Sequence, residues 1–187
     1  FILENDARSY AIGEWKFGAG RGLQTVVCMT LGTGLGCAAI VDGKPYRGDD
    51  VFGGLLGGHL SIDRNGPECV CGQRGCLELF CSSTALNLLI KTNHPDLATE
   101  ADALPTFFQN LKSGIPQYLQ TLHAFQDDLA IGIVNIIHAF NPGMVIIGGG
   151  VMNSAEIILP RIIEIVDRRA WTWPRGKVNI RASALGN

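Results

Sequence analysis

The chain has 187 residues, 47% hydrophobic and 17% charged, with a formal net charge of −2: room for one domain with a real core and too apolar for disorder. The charge balance excludes the basic footprint of a nucleic-acid surface, and no apolar run approaches the roughly 18 residues of a membrane helix. No secretory signal opens the chain, the first residue is Phe, and residues 1–6 read as the end of a buried strand, so a piece of a longer cytoplasmic protein is expected.

Asp6 reads as the N-cap of a helix over 7–17, closed by Gly18. The β-branched run Thr25-Val26-Val27 predicts a strand over 24–31, and a second strand follows over 35–41. Asp42-Gly43 then makes a hairpin turn into Lys44-Pro45-Tyr46, completing a meander. Residues 53–76 carry neither helical nor strand period, and a Gly-rich stretch of that length calls for a function or a staple. Beyond it, Ser83 or Thr84 caps a helix through Lys91, a short helix spans 102–112, and a long one spans 116–140, its apolar residues Leu122, Phe125, Leu129, Ile133 and Ile136 at helical spacing. Asn141-Pro142 stops it. A buried strand over 144–147, three glycines, a helix over 154–169 and a last strand over 178–183 complete an α/β domain with a mixed sheet.

Cys69, Cys71 and Cys76 crowd into eight residues, ten after His59. With no secretory signal, that pattern favours a metal over disulfides. Three thiols and an imidazole make a closed tetrahedral set for structural zinc, with Gly72 and Gly75 letting the chain fold back. The spacing is not that of a common zinc finger, and buried small cysteines beside a loop histidine are the competing reading. Cys28, Cys37 and Cys81, isolated on strands or helices, read as packing.

Two of the glycine clusters follow strands. In Leu31-Gly32-Thr33-Gly34-Leu35-Gly36, turn amides and the hydroxyls of Thr30 or Thr33 can face phosphate oxygens, or the turn simply needs Gly. Gly148-Gly149-Gly150 lies between a strand and a helix, where α/β sheets bind nucleotides. No Walker loop is present.

Together these motifs resemble the ROK family of repressors, open reading frames and kinases, over residues 3–187. The most specific part is Gly58-His59 followed by Cys69-x-Cys71-x4-Cys76-Leu77-Glu78. Glu4-Asn5-Asp6-Ala7 resembles the family's catalytic motif, 31–36 its second phosphate loop and 146–151 its adenosine loop. The resemblance implies the C-terminal lobe of a ribonuclease-H-like (actin-like ATPase) fold, truncated at both ends and inactive alone. It implies ATP-dependent phosphorylation of a hexose or N-acetylhexosamine hydroxyl, with Asp6 as general base and Asn5, His59 and Glu78 on the sugar. Thr30, Gly32, Thr33, Gly34, Gly148, Gly149 and Gly150 would hold ATP, with Mg²⁺ alongside. His59, Cys69, Cys71 and Cys76 would hold zinc that shapes the sugar loop. A homodimer or homotetramer is expected, with no membrane contact and no nucleic acid bound through this lobe. Read without the resemblance, Asp6 is a helix cap and Glu78 a first-turn carboxylate. One departure stands out: the family has Glu-x-Gly-His before the zinc loop, and Leu56 replaces that Glu here. Either the sugar differs, or catalysis is weak, or the chain belongs to a transcriptional regulator that senses a sugar.

Overall fold

A computed structural model describes residues 3–49 and 56–186, Leu56 by its backbone alone. The expectations placed on residues 1–2, on Gly53, Gly54 and Leu55, and on the side chain of Leu56 lie outside the described residues. Strand β1 (Val26–Leu31) pairs antiparallel with β2 (Leu35–Val41), and β2 with the two-residue β3 (Lys44–Pro45). Strands β4 (Met144–Gly148) and β5 (Asn179–Ala182) continue the sheet in parallel, giving the order β3-β2-β1-β4-β5. This is the mixed sheet the sequence predicts.

The sheet is buried on both faces, and the strands sort their residues with the period of two that a pleat imposes. Val27, Met29, Leu31, Val145 and Ile147 face one core, which also takes in residues of helices α2 (Glu78–Cys81), α3 (Ser83–Asn93), α4 (Leu104–Lys112), α5 (Leu119–Phe140) and α6 (Ala155–Arg169). Val26, Cys28, Met144 and Ile146 face α1 (Asp6–Phe17) on the other side. Ala7 and Ala11 let that helix lie close to the sheet.

Several boundaries differ from the sequence reading, each for a local reason. Asn5 caps α1, its side-chain oxygen accepting the Arg8 N–H at 3.1 Å, and Asp6 is already the first helical residue. Ser82 caps α3, because the hydroxyls of Ser83 and Thr84 are spent on the carbonyls of Gly32 and Thr33, each at 2.8 Å. β1 starts at Val26 because the Gln24 and Thr25 carbonyls accept from the turn amides of Gly43 and Gly143. The long helix starts at Leu119 after a 3₁₀ turn over Pro116–Tyr118. A second 3₁₀ turn, Gly150–Ser154, precedes α6, and β5 occupies only 179–182 of the expected strand. Within the stretch thought to lack regular structure, Leu56–His59 forms a 3₁₀ turn, and Ser61 bridges Cys76 while Glu68 bridges Arg74.

Candidate functional site

The N-terminus of α1 is set against the β1–β2 turn by small residues. A Cβ on Gly36 would come within 2.9 Å of the Ala7 Cβ, so Ala7 rests on the Thr30–Gly36 register pair. Asn5 and Asp6, immediately before it, are exposed. The Asp6 carboxylate accepts the Ala7 N–H at 2.8 Å and otherwise faces outward. Ahead of them Glu4 is held by two guanidinium groups, Arg8 at 2.7 Å and Arg47 from beyond β3. The Arg8 side chain is buried, and together these contacts fix the backbone that carries Asn5 and Asp6.

The glycine turn is braced from outside. Ser83 donates both its N–H and its hydroxyl to the Gly32 carbonyl, and Thr84 donates to that of Thr33. Glu78 Oε2 accepts the Leu35 N–H at 2.8 Å, and a side chain on Gly34 would run into that carboxylate. Glu78 is therefore more than the solvated first-turn carboxylate that its helix position alone suggests.

Across the carboxyl ends of β1 and β4, a cavity of about 560 Å³ brings Gly32 and Gly150 together with Ser83, Asp102, Phe108 and Asn153. The other glycines and threonines assigned to nucleotide binding are not among its lining residues. Thr30 turns toward α1, Thr33 is exposed at the tip, and Gly34 backs onto Glu78. Gly148 and Gly149 answer to packing: a Cβ on Gly148 would collide with the Tyr10 hydroxyl, and one on Gly149 with the backbone of Leu31. Gly149 also has φ +95°, a region costly for any residue with a Cβ. Gly150 meets nothing within 4 Å and opens onto the cavity.

The thiols converge as their spacing requires. His59, Cys69, Cys71 and Cys76 place their donor atoms all within 4.8 Å of one another. The Cys71 and Cys76 sulfurs are 3.6 Å apart, and Cys69 Sγ is 3.5 Å from His59 Nδ1. A tetrahedron with Zn–S of about 2.3 Å and Zn–N of about 2.05 Å has edges of about 3.8 Å between sulfurs and about 3.6 Å between sulfur and nitrogen. The donor set thus has the size as well as the chemistry for a thiophilic ion. The loop is knitted by Cys69 N–H to Gln73 O and Gly75 N–H to Pro67 O, each 2.8 Å. A side chain on Gly75, at φ +64°, would strike the Asp63 carbonyl. The 3₁₀ turn carrying His59 packs directly on β2, where Gly58 leaves room for the Leu35 carbonyl. Leu35 is therefore the junction, its N–H on Glu78 and its C=O against the His59 turn. The other cysteines behave as packing: burial pushes the Cys37 thiol up to about 12, and those of Cys28 and Cys81 upward too.

Two parts of the site escaped the sequence reading. One is the buried Arg8, which the sequence reading did not single out and whose one local signal is Glu4, four positions earlier. The other is helix α4, read only as a short helix, which walls the cavity with Leu104, Pro105 and Phe108. No described helix is long and apolar enough to cross a membrane.

The comparisons with known proteins agree with this geometry. The ROK family model matches residues 1–187. The chain is 38% identical over 175 residues to a glucokinase of Thermotoga maritima, covering 88% of this chain and 55% of that protein. It is 32% identical over 185 residues to the xylose repressor of Bacillus subtilis, covering 99% of this chain and 47% of the repressor. The crystal structure of a ROK family glucokinase from Streptomyces griseus, in complex with glucose and AMPPNP, superposes with a TM-score of 0.87 at 30% identity, over 99% of this chain and 64% of that one. The chain thus spans about half the length of these curated relatives.

Proposed function

The chain belongs to the ROK family, and from that premise we propose that it is the C-terminal lobe of an ATP-dependent sugar kinase acting on a hexose or N-acetylhexosamine. The observation that carries the reading is the placement of exposed Asp6 at the start of α1, packed through Ala7 onto the strand pair whose turn borders the Gly32–Gly150 cavity. A sugar hydroxyl is a poor nucleophile at neutral pH, and a carboxylate that takes its proton as it attacks the γ-phosphate lowers that barrier. Asp6 holds that position. Asn5 and the second carboxylate oxygen of Glu78 bind neighbouring hydroxyls. His59, with Nδ1 toward the thiols, keeps Nε2 for the sugar. The nucleotide occupies the cavity beside Gly150, its phosphates over Gly32, Thr33 and Gly34 and within reach of Thr30. Mg²⁺ accompanies ATP and offsets charge on its phosphates. Zinc on His59, Cys69, Cys71 and Cys76 is structural and holds the sugar loop against β2.

A second reading has its own support. The xylose repressor matches 99% of this chain, and Leu56 stands where the family's sugar-binding Glu is expected, a lost acceptor worth about 1–3 kcal/mol. A regulator would use the same lobe to sense a sugar, with a helix-turn-helix ahead of the other lobe. The test is phosphate transfer from ATP to glucose, mannose and N-acetylmannosamine by the full-length protein. Turnover on any of them supports the kinase. Sugar binding by calorimetry without turnover supports the sensor.

A further inference from the structure

The loop joining α6 to β5 displays two indole rings to solvent: Trp171 is 84% exposed and Trp173 90%. This loop is held in place. The Trp171 N–H donates to His138 Nε2 at 2.8 Å, the Thr172 hydroxyl donates to the Pro174 carbonyl at 3.0 Å, and the Arg175 guanidinium donates to the Arg168 carbonyl at 2.8 Å. Between the loop and the end of α5 lies a groove of about 810 Å³, bordered by Ile137, Asn141, Trp171, Trp173, Arg175 and Lys177. Exposed tryptophans beside arginine, carried on a hydrogen-bonded loop, are side chains enriched among the residues that dominate protein interfaces.

The loop's own charges are basic, with the Asp167 carboxylate lying against Gly176. Residues 168–181 hold five of the chain's fifteen Lys and Arg (Arg168, Arg169, Arg175, Lys177 and Arg181) and no carboxylate, in a chain that is net negative. No acidic residue lines the groove. The loop precedes β5, and Asn141 precedes β4, so this face lies at the amino ends of the parallel strands. It is about 16 Å, a strand's length, from the glycine turns at their carboxyl ends.

We propose that this groove docks an acidic segment of a partner protein. An apolar side chain of the segment seats between Trp171 and Trp173, and its carboxylates pair with Arg175 and Lys177. A second copy of the chain fits less well, because it would bring these cations against one another. A nucleic acid fits less well against a chain whose net charge is −2.

The test is selection of a random 12-residue peptide display library on the full-length protein. Selected peptides are then titrated by fluorescence anisotropy against the parent, Trp173→Ala and Lys177→Glu. Both side chains are exposed, so thermal midpoints should be unchanged. Peptides rich in Asp and Glu around an apolar residue are expected, at least tenfold weaker on each variant, and weaker on the parent in 0.5 M NaCl. The proposal is overturned if no acidic peptide is enriched, or if acidic peptides bind both variants as well as the parent. It is also overturned if Trp173→Ala splits an oligomer in sedimentation, or if the face instead binds vesicles of 3:1 phosphatidylcholine to phosphatidylserine or a dodecauridylate.

Discussion

Glu14 and Ser183, 169 residues apart, meet through a hydrogen bond of 2.6 Å from the serine hydroxyl to the carboxylate. The same carboxylate, fully buried, also accepts the N–H groups of Ala184 and Leu185 and, through its other oxygen, that of Ala19. It ties the segment after β5 to α1. Burial works against its charge, yet the four donors outweigh burial and hold its pKa below the ordinary 4.5. A depressed carboxylate contributes stability above its unfolded pKa and loses it as pH falls through the folded value. Glu14→Gln should therefore be less stable than the parent at pH 7 by about 1–3 kcal/mol, with the difference shrinking below about pH 4. Urea melts at pH 7 and pH 3 check this, and a difference unchanged between the two would refute it.

Asp128 on α5 runs the other way. Burial first, then the nearby charges of Asp127 and Asp63, push its pKa up to about 6. A carboxyl raised in the folded state favours folding at low pH, and that advantage is lost as pH rises through about 6. Asp128→Asn should stabilise the protein at pH 7.5 and give no gain below about pH 4. The side chain is only partly buried, so the gain should be about 1 kcal/mol after discounting for solvent. Thermal melts across pH 4–8 would show the crossover.

The His59, Cys69, Cys71 and Cys76 cluster should carry one zinc per chain, read by metal analysis of the purified protein. Cys71→Ala removes the exposed ligand and should fall well below stoichiometric zinc. A chelator should lower the thermal midpoint of the parent more than that of the variant, because metal binding and the folding of 59–76 are one equilibrium. Full zinc in Cys71→Ala would show that this thiol is not a ligand.

How much of this was legible beforehand follows from what each feature depends on. The strands read clearly because Val26–Leu31 and Met144–Gly148 are buried on both faces and carry continuous apolar runs. The metal cluster read from spacing because four donors within one loop need little tertiary information. Caps were misplaced by one residue because Ser82, Ser83 and Thr84 are chemically equivalent in sequence. Which one caps α3 is decided by Gly32 and Thr33, fifty residues away. Glu14 could not be read at all, since a charged residue on a helix gives no sign of its burial until long-range partners such as Ser183 and Leu185 arrive.

Asp6→Asn keeps the hydrogen bond to the Ala7 N–H and leaves the Asn5 cap untouched, so folding should be unchanged. In the full-length protein, turnover should fall by about 10²-fold or more while sugar binding by calorimetry survives. Turnover within a few-fold of the parent would remove Asp6 from the role of base.

The three consecutive glycines before α6 should separate into two kinds under alanine substitution. Gly149 has positive φ, and its Cβ position is filled by Leu31 backbone. Gly149→Ala must push apart the ends of β1 and β4, so it should destabilise by about 2–4 kcal/mol, the combined scale of backbone strain and overpacking. Gly150 has open space, and Gly150→Ala should stay within about 0.5 kcal/mol of the parent. Its methyl would instead project beside the cavity that also reaches Gly32, where a nucleotide needs close approach to backbone. Gly150→Ala should therefore weaken binding of a non-hydrolysable ATP analogue several-fold in calorimetry with full-length protein, at unchanged stability. If both substitutions are equally destabilising, the run is a packing device throughout. If Gly150→Ala alters neither stability nor nucleotide affinity, the cavity beside α4 is not where ATP sits.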